Sequence, residues 1–198
     1  MQFRGAVVSL LLLVALLGCV NQPQAPTPSS QAPAQGPGLI EAPAGLSGYN
    51  NFQYGVAMNY PTGWQSDESS PTAIVTFSPP GAADDGFTEN VGLTMNDLRE
   101  QPLTLDEYTA ATLEQLPGAL SDFSLVSSEA ATMASTPAQK LVYTFTLPDG
   151  NPVKALQVHT IRNGIAYTMV YLNKPDQFSA FEAGAQTIIG SFQVTKDL

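Results

Sequence analysis

The sequence predicts an α+β domain, an antiparallel β-sheet with helices packed on its faces, and three observations carry that prediction. A run of alternating segments from Ala138 to Leu172 is cut twice by strong turn signals. Thr104-Leu105-Asp106-Glu107 opens a stretch whose leucines recur at helical spacing. Near the C-terminus Phe178, Phe181, Ala185, Ile188 and Phe192 step by 3, 4, 3 and 4. Strands joined by tight turns pair antiparallel, and helices set apart from them in sequence cover the sheet.

The elements follow in order. Tyr54 to Tyr60 alternates, with Tyr54, Val56, Met58 and Tyr60 on one side, and Pro61-Thr62-Gly63 turns it ahead of Trp64. Thr72 to Phe77 is β-branched and aromatic and closes at Pro79-Pro80-Gly81. Asn90 to Met95 places Val91, Leu93 and Met95 on one face. The period then changes. Thr104 and Glu107 have the spacing of a capping box, and Leu103 and Tyr108 that of a hydrophobic staple. Leu105, Tyr108, Leu113, Leu116 and Leu120 form the stripe, and Pro117-Gly118 is expected to end the helix near Leu116.

Phe123 to Met133 reads as a strand. Ala138 to Leu147 follows, turned by Pro148-Asp149-Gly150-Asn151. Val153 to Arg162 is next, and Asn163-Gly164 fits a two-residue type I′ hairpin into Ile165 to Leu172. That last strand is apolar on both faces, the mark of a central strand covered on both sides. The final helix is expected to start near Pro175 or Ser179, with Ser179 and Glu182 as a second capping box.

The N-terminal part is of another kind. Arg4 precedes an apolar run from Ala6 to Leu17, the layout of a secretory signal and too short to span a bilayer, which takes about 20 residues. The run ends in Leu16-Leu17-Gly18-Cys19, and Cys19 is the one cysteine of the chain. Leu-Leu-Gly-Cys resembles the bacterial lipoprotein box, which implies a diacylglyceryl group on Cys19 and cleavage before it. Two acyl chains hold a protein stably to a membrane where one does not. Residues 1–18 are therefore expected to be the signal. Residues 19–47 are the lipidated cysteine and a disordered tether rich in Pro, Gln and Ala, and residues 48–198 the folded domain. Residues 20–46, as an extended stalk, reach at most roughly 80 Å.

Charge narrows the partners. The 17 acidic residues outnumber the 7 basic ones, for a net charge of −10. A nucleic-acid partner needs a basic stripe, and no window has one. Anionic lipid would repel this surface, so the acyl chains are expected to provide the hold on the membrane. A basic protein or a cation suits such a field. With Cys19 acylated no thiol remains for a disulfide, a thiolate metal site or a nucleophile.

Catalytic constellations are sparse. His159, the lone histidine, sits in a strand with Gln157 on its face, and a structural role is expected for it. Gly-x-Ser-x-Gly, His-Glu-x-x-His, Gly-x-Gly-x-x-Gly and P-loop spacings do not occur. The best ligand candidate is Asp84-Asp85-Gly86 with Glu89. Carboxylates on a glycine-containing loop suit calcium, which takes 6–8 oxygens. Asp67-Glu68 adds charge if the loops meet. Phe52, Tyr60 and Trp64 are expected to anchor the sheet rather than form a ligand platform.

Three stretches carry a family resemblance. They are Phe52-Gln53-Tyr54-Gly55-Val56 running into Asn59-Tyr60-Pro61-Thr62-Gly63-Trp64, then Thr88-Glu89-Asn90-Val91, then the meander around Asn163-Gly164 with Asp176-Gln177-Phe178 and the ending Gly190-Ser191-Phe192. Over residues 50–195 the chain resembles the PsbP-like group, which includes the photosystem II accessory protein and many prokaryotic lipoproteins. The resemblance implies an α–β–α sandwich. It also implies docking to a membrane complex, photosystem II in a photosynthetic source, with help in its assembly or in retaining calcium and chloride. A nuclear branch that binds the Ran GTPase shares the fold, and the export signal argues against that role. The expected function is a lipid-anchored extracytoplasmic accessory or binding protein on a cell, outer or thylakoid membrane. It is expected to be non-enzymatic, to carry no cofactor beyond weakly held calcium, and to meet a membrane-associated protein. The alternative is a solute- or cation-binding lipoprotein that uses the acidic loop.

Overall fold

The computed structural model describes residues 42–81 and 87–196. Among these the chain runs β1 (Leu46–Asn51), β2 (Val56–Pro61), β3 (Gln65–Asp67), β4 (Val75–Ser78), β5 (Asn90–Asp97), α1 (Leu105–Ala119), β6 (Ser121–Met133), β7 (Thr136–Thr146), β8 (Pro152–Arg162), β9 (Ile165–Asn173), α2 (Phe178–Gly190) and β10 (Gln193–Val194). Two sheets result. The larger has the order β3-β4-β5-β9-β8-β7-β6, and the smaller β1-β2-β10. Every described strand pairing within them is antiparallel. The α+β class is as the turn signals and helical stripes predict, with a second sheet added.

Strand β9 lies at the centre and all nine of its residues are buried. Alternation sends Tyr167, Met169 and Tyr171 into one core with Met58 of β2 and Phe178, Ala185 and Ile188 of α2. It sends Val170 and Leu172 into a second core with Leu116 of α1 and Tyr143 of β7, and Ala166 into a third with Tyr108 of α1. Helix α1 thus covers one face, and α2 with the small sheet covers the other. Phe77 of β4 ties the two sheets together, with Tyr49 edge-on at 5.5 Å and Tyr60 at 5.0 Å.

The helix starts differ. Thr104 caps α1 as expected. Its Oγ1 accepts the Glu107 amide at 3.2 Å, and Glu107 Oε2 accepts the Thr104 amide at 2.8 Å. The helix does not stop at Leu116 but crosses Pro117 and runs to Ala119. Proline removes one amide, and burial of Leu116 and Leu120 on either side holds the last turn, with the Leu120 amide on the Leu116 carbonyl at 2.9 Å. In α2 the N-cap is Gln177, so Ser179 lies inside the helix and its pair with Glu182 is not a capping box. Phe178 sets the start instead. Its ring lies 4.7 Å from Tyr171, and its carbonyl accepts the Tyr171 hydroxyl at 2.8 Å.

Several strand bounds depart from the periodicity. Pairing begins at Leu46, which faces Pro61, so β1 opens inside the segment assigned to the tether. Strand β2 begins at Val56, because Gly55 holds φ +59 in the turn. Strands β3 and β10 have three and two residues and no alternation to see. The expected Asn163-Gly164 hairpin is present with both φ positive, +51 and +74. The β6–β7 turn has the same geometry at Ala134 and Ser135, φ +51 and +59, without the residues that favour it.

Left-handed backbone costs an L-residue with no local polar compensation roughly 1–2 kcal/mol. The double change Ala134→Asn, Ser135→Gly should therefore stabilise the domain by about 1 kcal/mol or more in urea unfolding. An unchanged or lower midpoint would contradict the turn assignment.

Candidate binding cleft

A cleft of about 380 Å³ opens where β4 parts from β5. Asn51, Gln53 and Tyr54 of the β1–β2 turn form one side. Glu68 and residues 70–74 form a second, and Thr94 and Met95 of β5 a third. Ser70 shapes the loop, its Oγ accepting the amides of Thr72 at 3.3 Å and Ala73 at 3.2 Å. The volume lies in the range of small-ligand sites, about 300–1,000 Å³.

Glu68 is the carboxylate of this cleft. Its Oε1 accepts the Tyr49 hydroxyl at 2.5 Å and Asn51 Nδ2 at 3.4 Å. Asn51 Nδ2 also donates to Tyr49 Oη at 3.1 Å, while its Oδ1 accepts the Tyr54 amide at 3.1 Å. Burial first, then the bond to Glu68, push the Tyr49 phenol well above its ordinary range, so the hydroxyl remains a donor. The carboxylate is thereby fixed at one oxygen, and Oε2 accepts no bond from a described residue. The neighbouring Asp67 turns away, taking the amide and hydroxyl of Ser69 at 2.8 Å each.

The predicted site residues are placed as follows. Cys19, Asp84 and Asp85 lie outside the described residues. Glu89 lies just before β5 and is 6% exposed as a residue, and the buried side-chain atoms without a partner among the described residues are Asn59 Oδ1 and Asn90 Oδ1, not its carboxylate. Among the described residues no group of three or more His, Cys, Asp or Glu side chains converges. Glu68 serves Tyr49 and the cleft. Tyr60 and Trp64 are half-buried anchors. Trp64 meets Phe181 edge-on at 6.2 Å, and a Cβ on Gly184 would stand 2.7 Å from its indole. Phe52 is not an anchor: it is 59% exposed at the tip of the β1–β2 turn.

His159 is fully buried between β8 and α1. Thr109 donates its hydroxyl to the Leu105 carbonyl at 2.8 Å, so its oxygen accepts from His159 Nε2, also at 2.8 Å. Nδ1 then accepts Gln157 Nε2 at 3.3 Å, and Gln157 Oε1 accepts the Tyr143 hydroxyl at 3.1 Å. Every proton in this chain is assigned and the imidazole is neutral. Desolvation lowers its pKa to about 4. The sequence pointed to Gln157 as a neighbour. Thr109 and Tyr143 lie on other elements, and no motif marks them.

No family model and no curated protein matches the chain. Solved structures do. Cyanobacterial PsbP (CyanoP) from Synechocystis superposes with a TM-score of 0.58 at 20% identity, over 82% of this chain and 98% of that one. LpqN of Mycobacterium tuberculosis, described as involved in cell envelope biogenesis, gives 0.53 at 15% identity, over 80% and 90%. A Pseudomonas aeruginosa protein of unknown function gives 0.50 at 16% identity, over 70% and 89%.

The buried imidazole has a measurable consequence. Its folded pKa lies below the value of about 6.5 in the unfolded chain, so between pH 6.5 and 4 the unfolded state binds more protons. Stability from this group is complete above about pH 6.5 and is lost as pH falls toward 4, by up to about 3 kcal/mol. Denaturation of the wild type and His159→Gln across that range should show a steeper acid loss in the wild type. Parallel curves would contradict the buried, neutral state. Taken together, the two sheets, the helix on each face and the superpositions show that this chain has the PsbP-like fold.

Proposed function

We propose that the protein is a lipid-anchored extracytoplasmic accessory protein that binds a membrane-associated protein partner and catalyses no reaction. The observation that carries this reading is the pairing of a PsbP-like domain with a leader that ends in Leu-Leu-Gly-Cys19. The likeness to an envelope-biogenesis protein supports the compartment. The state of His159 supports the absence of turnover: the chain's one imidazole is sealed under α1 with both nitrogens committed. A general base must reach the proton it abstracts, and this one reaches Thr109 and Gln157. The exposed Phe52 beside a polar cleft is the kind of aromatic that anchors protein contacts.

The anchor is tested by cell fractionation. The wild type should sediment with membranes and label with radioactive palmitate, and Cys19→Ser should do neither. Retention of the variant in the membrane fraction would overturn the reading.

One observation favours a cation-binding role beside this one. Glu89, just before β5, is 6% exposed as a residue, its carboxylate oxygens are not among the buried atoms left without a partner, and it belongs to the Asp84, Asp85 and Glu89 set read from the sequence. Oxygen ligands of this kind suit calcium, weakly held. Calorimetric titration with calcium to millimolar concentration should give a heat that Glu89→Gln abolishes. No heat in the wild type would dismiss the site.

A further inference from the structure

We infer that the cleft beside β5 receives an extended segment of the partner protein, which adds to the open edge of β5 and places a lysine or arginine on Glu68. This rests on the partner-binding reading above and names the surface and the chemistry.

The edge comes from the register. Strand β4 pairs with β5 as far as Val75 opposite Leu93, and the Ile74 amide also reaches the Leu93 carbonyl at 2.8 Å. Leu93 therefore turns its backbone groups toward β4. Beyond that point β4 is gone while β5 continues to Asp97, still paired with β9 on its other side. In an antiparallel strand every second residue faces the same neighbour, so Met95 turns its N–H and C=O the way Leu93 does. That direction is the cleft, which Met95 lines. No described backbone group bonds this edge past Leu93. An exposed row of this kind is a template for an added strand.

The charge comes from Glu68. Tyr49 and Asn51 hold one carboxylate oxygen and leave the other uncommitted. At the far end of the same edge Asp97 is paired with Arg99, which holds its carboxyl down near 2. Glu68 is thus the acceptor on offer, on a chain of net charge −10. A cation that makes a charge-assisted bond here meets a group already oriented.

The size of the partner comes from Phe52. A small cation would need only the cleft. Phe52 stands exposed just outside it, on the turn whose Asn51, Gln53 and Tyr54 line the wall. A segment on β5 would continue past this ring, and an apolar side chain next to the basic one would cover it.

The test uses the full chain in detergent micelles and the blocked peptide Thr-Val-Lys-Val-Thr, followed by amide NMR. The expected result is saturable shifts at Ile74, Met95 and Glu68. Glu68→Gln, which keeps the acceptor for Tyr49, should weaken binding at least fivefold, as should norleucine in place of the peptide's lysine. N-methylation of alternate peptide amides should abolish it. Equal shifts from lysine amide alone would overturn the strand addition in favour of a small cation. So would shifts that ignore Glu68→Gln, or no shifts at millimolar peptide. A partner crosslinked equally well by Glu68→Gln cells would keep the accessory reading and overturn this one.

Discussion

A strand buried on both faces cannot stand alone, and β9 is such a strand. Its side chains need two covers, and the rest of the fold supplies them. Helix α1 crosses one face, where Tyr108 and Leu116 meet Ala166, Val170 and Leu172. Helix α2 and the small sheet close the other, where Phe178, Ile188 and Met58 meet Tyr167, Met169 and Tyr171. Burying an unpaired polar group costs roughly 1–3 kcal/mol, and among the described side chains only Asn59 Oδ1 and Asn90 Oδ1 are buried without a partner. The α1 face shows the result. Asn96 donates to Tyr108 at 2.9 Å, and His159, Gln157, Tyr143 and Thr109 satisfy one another in a single chain.

That constraint separates the structural polar groups from the available ones. His159 belongs to the cover. What faces solvent is the place where the large sheet is incomplete, because β4 is shorter than β5. The β1–β2 turn and the 70–74 loop border this gap and turn it into a cleft rather than a bare edge. The chemistry of the domain then lies in a carboxylate, an open backbone edge and an exposed ring. In the proposed reading each of these serves recognition. A tether and an anchor at Cys19, as proposed, would limit the search for a partner to one membrane surface.

How much of this was legible in the sequence follows from how local each signal is. The capping box at Thr104, the Asn163-Gly164 turn and the double-faced apolar run of β9 are set by neighbours along the chain, and all three hold. Strands β1, β3 and β10 are set by tertiary pairing. Leu46 to Asn51 has only Leu46 and Tyr49 to mark it, and Tyr49 is held by Phe77 across the sheets. Pro117 ends a helix on paper, yet burial of Leu116 and Leu120 outweighs one lost hydrogen bond. The cleft draws on residues near 51, 68 and 94, which no spacing rule connects. Glu68 reads in the sequence only as charge added to the acidic loop with Asp67, because its partner Tyr49 lies 19 positions away on β1.

In the proposed reading the rim of the cleft is the surface that meets the partner. A photo-crosslinking amino acid placed at Phe52 in living cells measures this most directly, with Val126 as the comparison. Val126 is as exposed, at 61%, but lies on the far edge strand β6. Crosslinks to one discrete membrane-associated protein from position 52, and none from position 126, are the predicted result. Capture of the same partner from position 126 with nothing from position 52 would contradict the account.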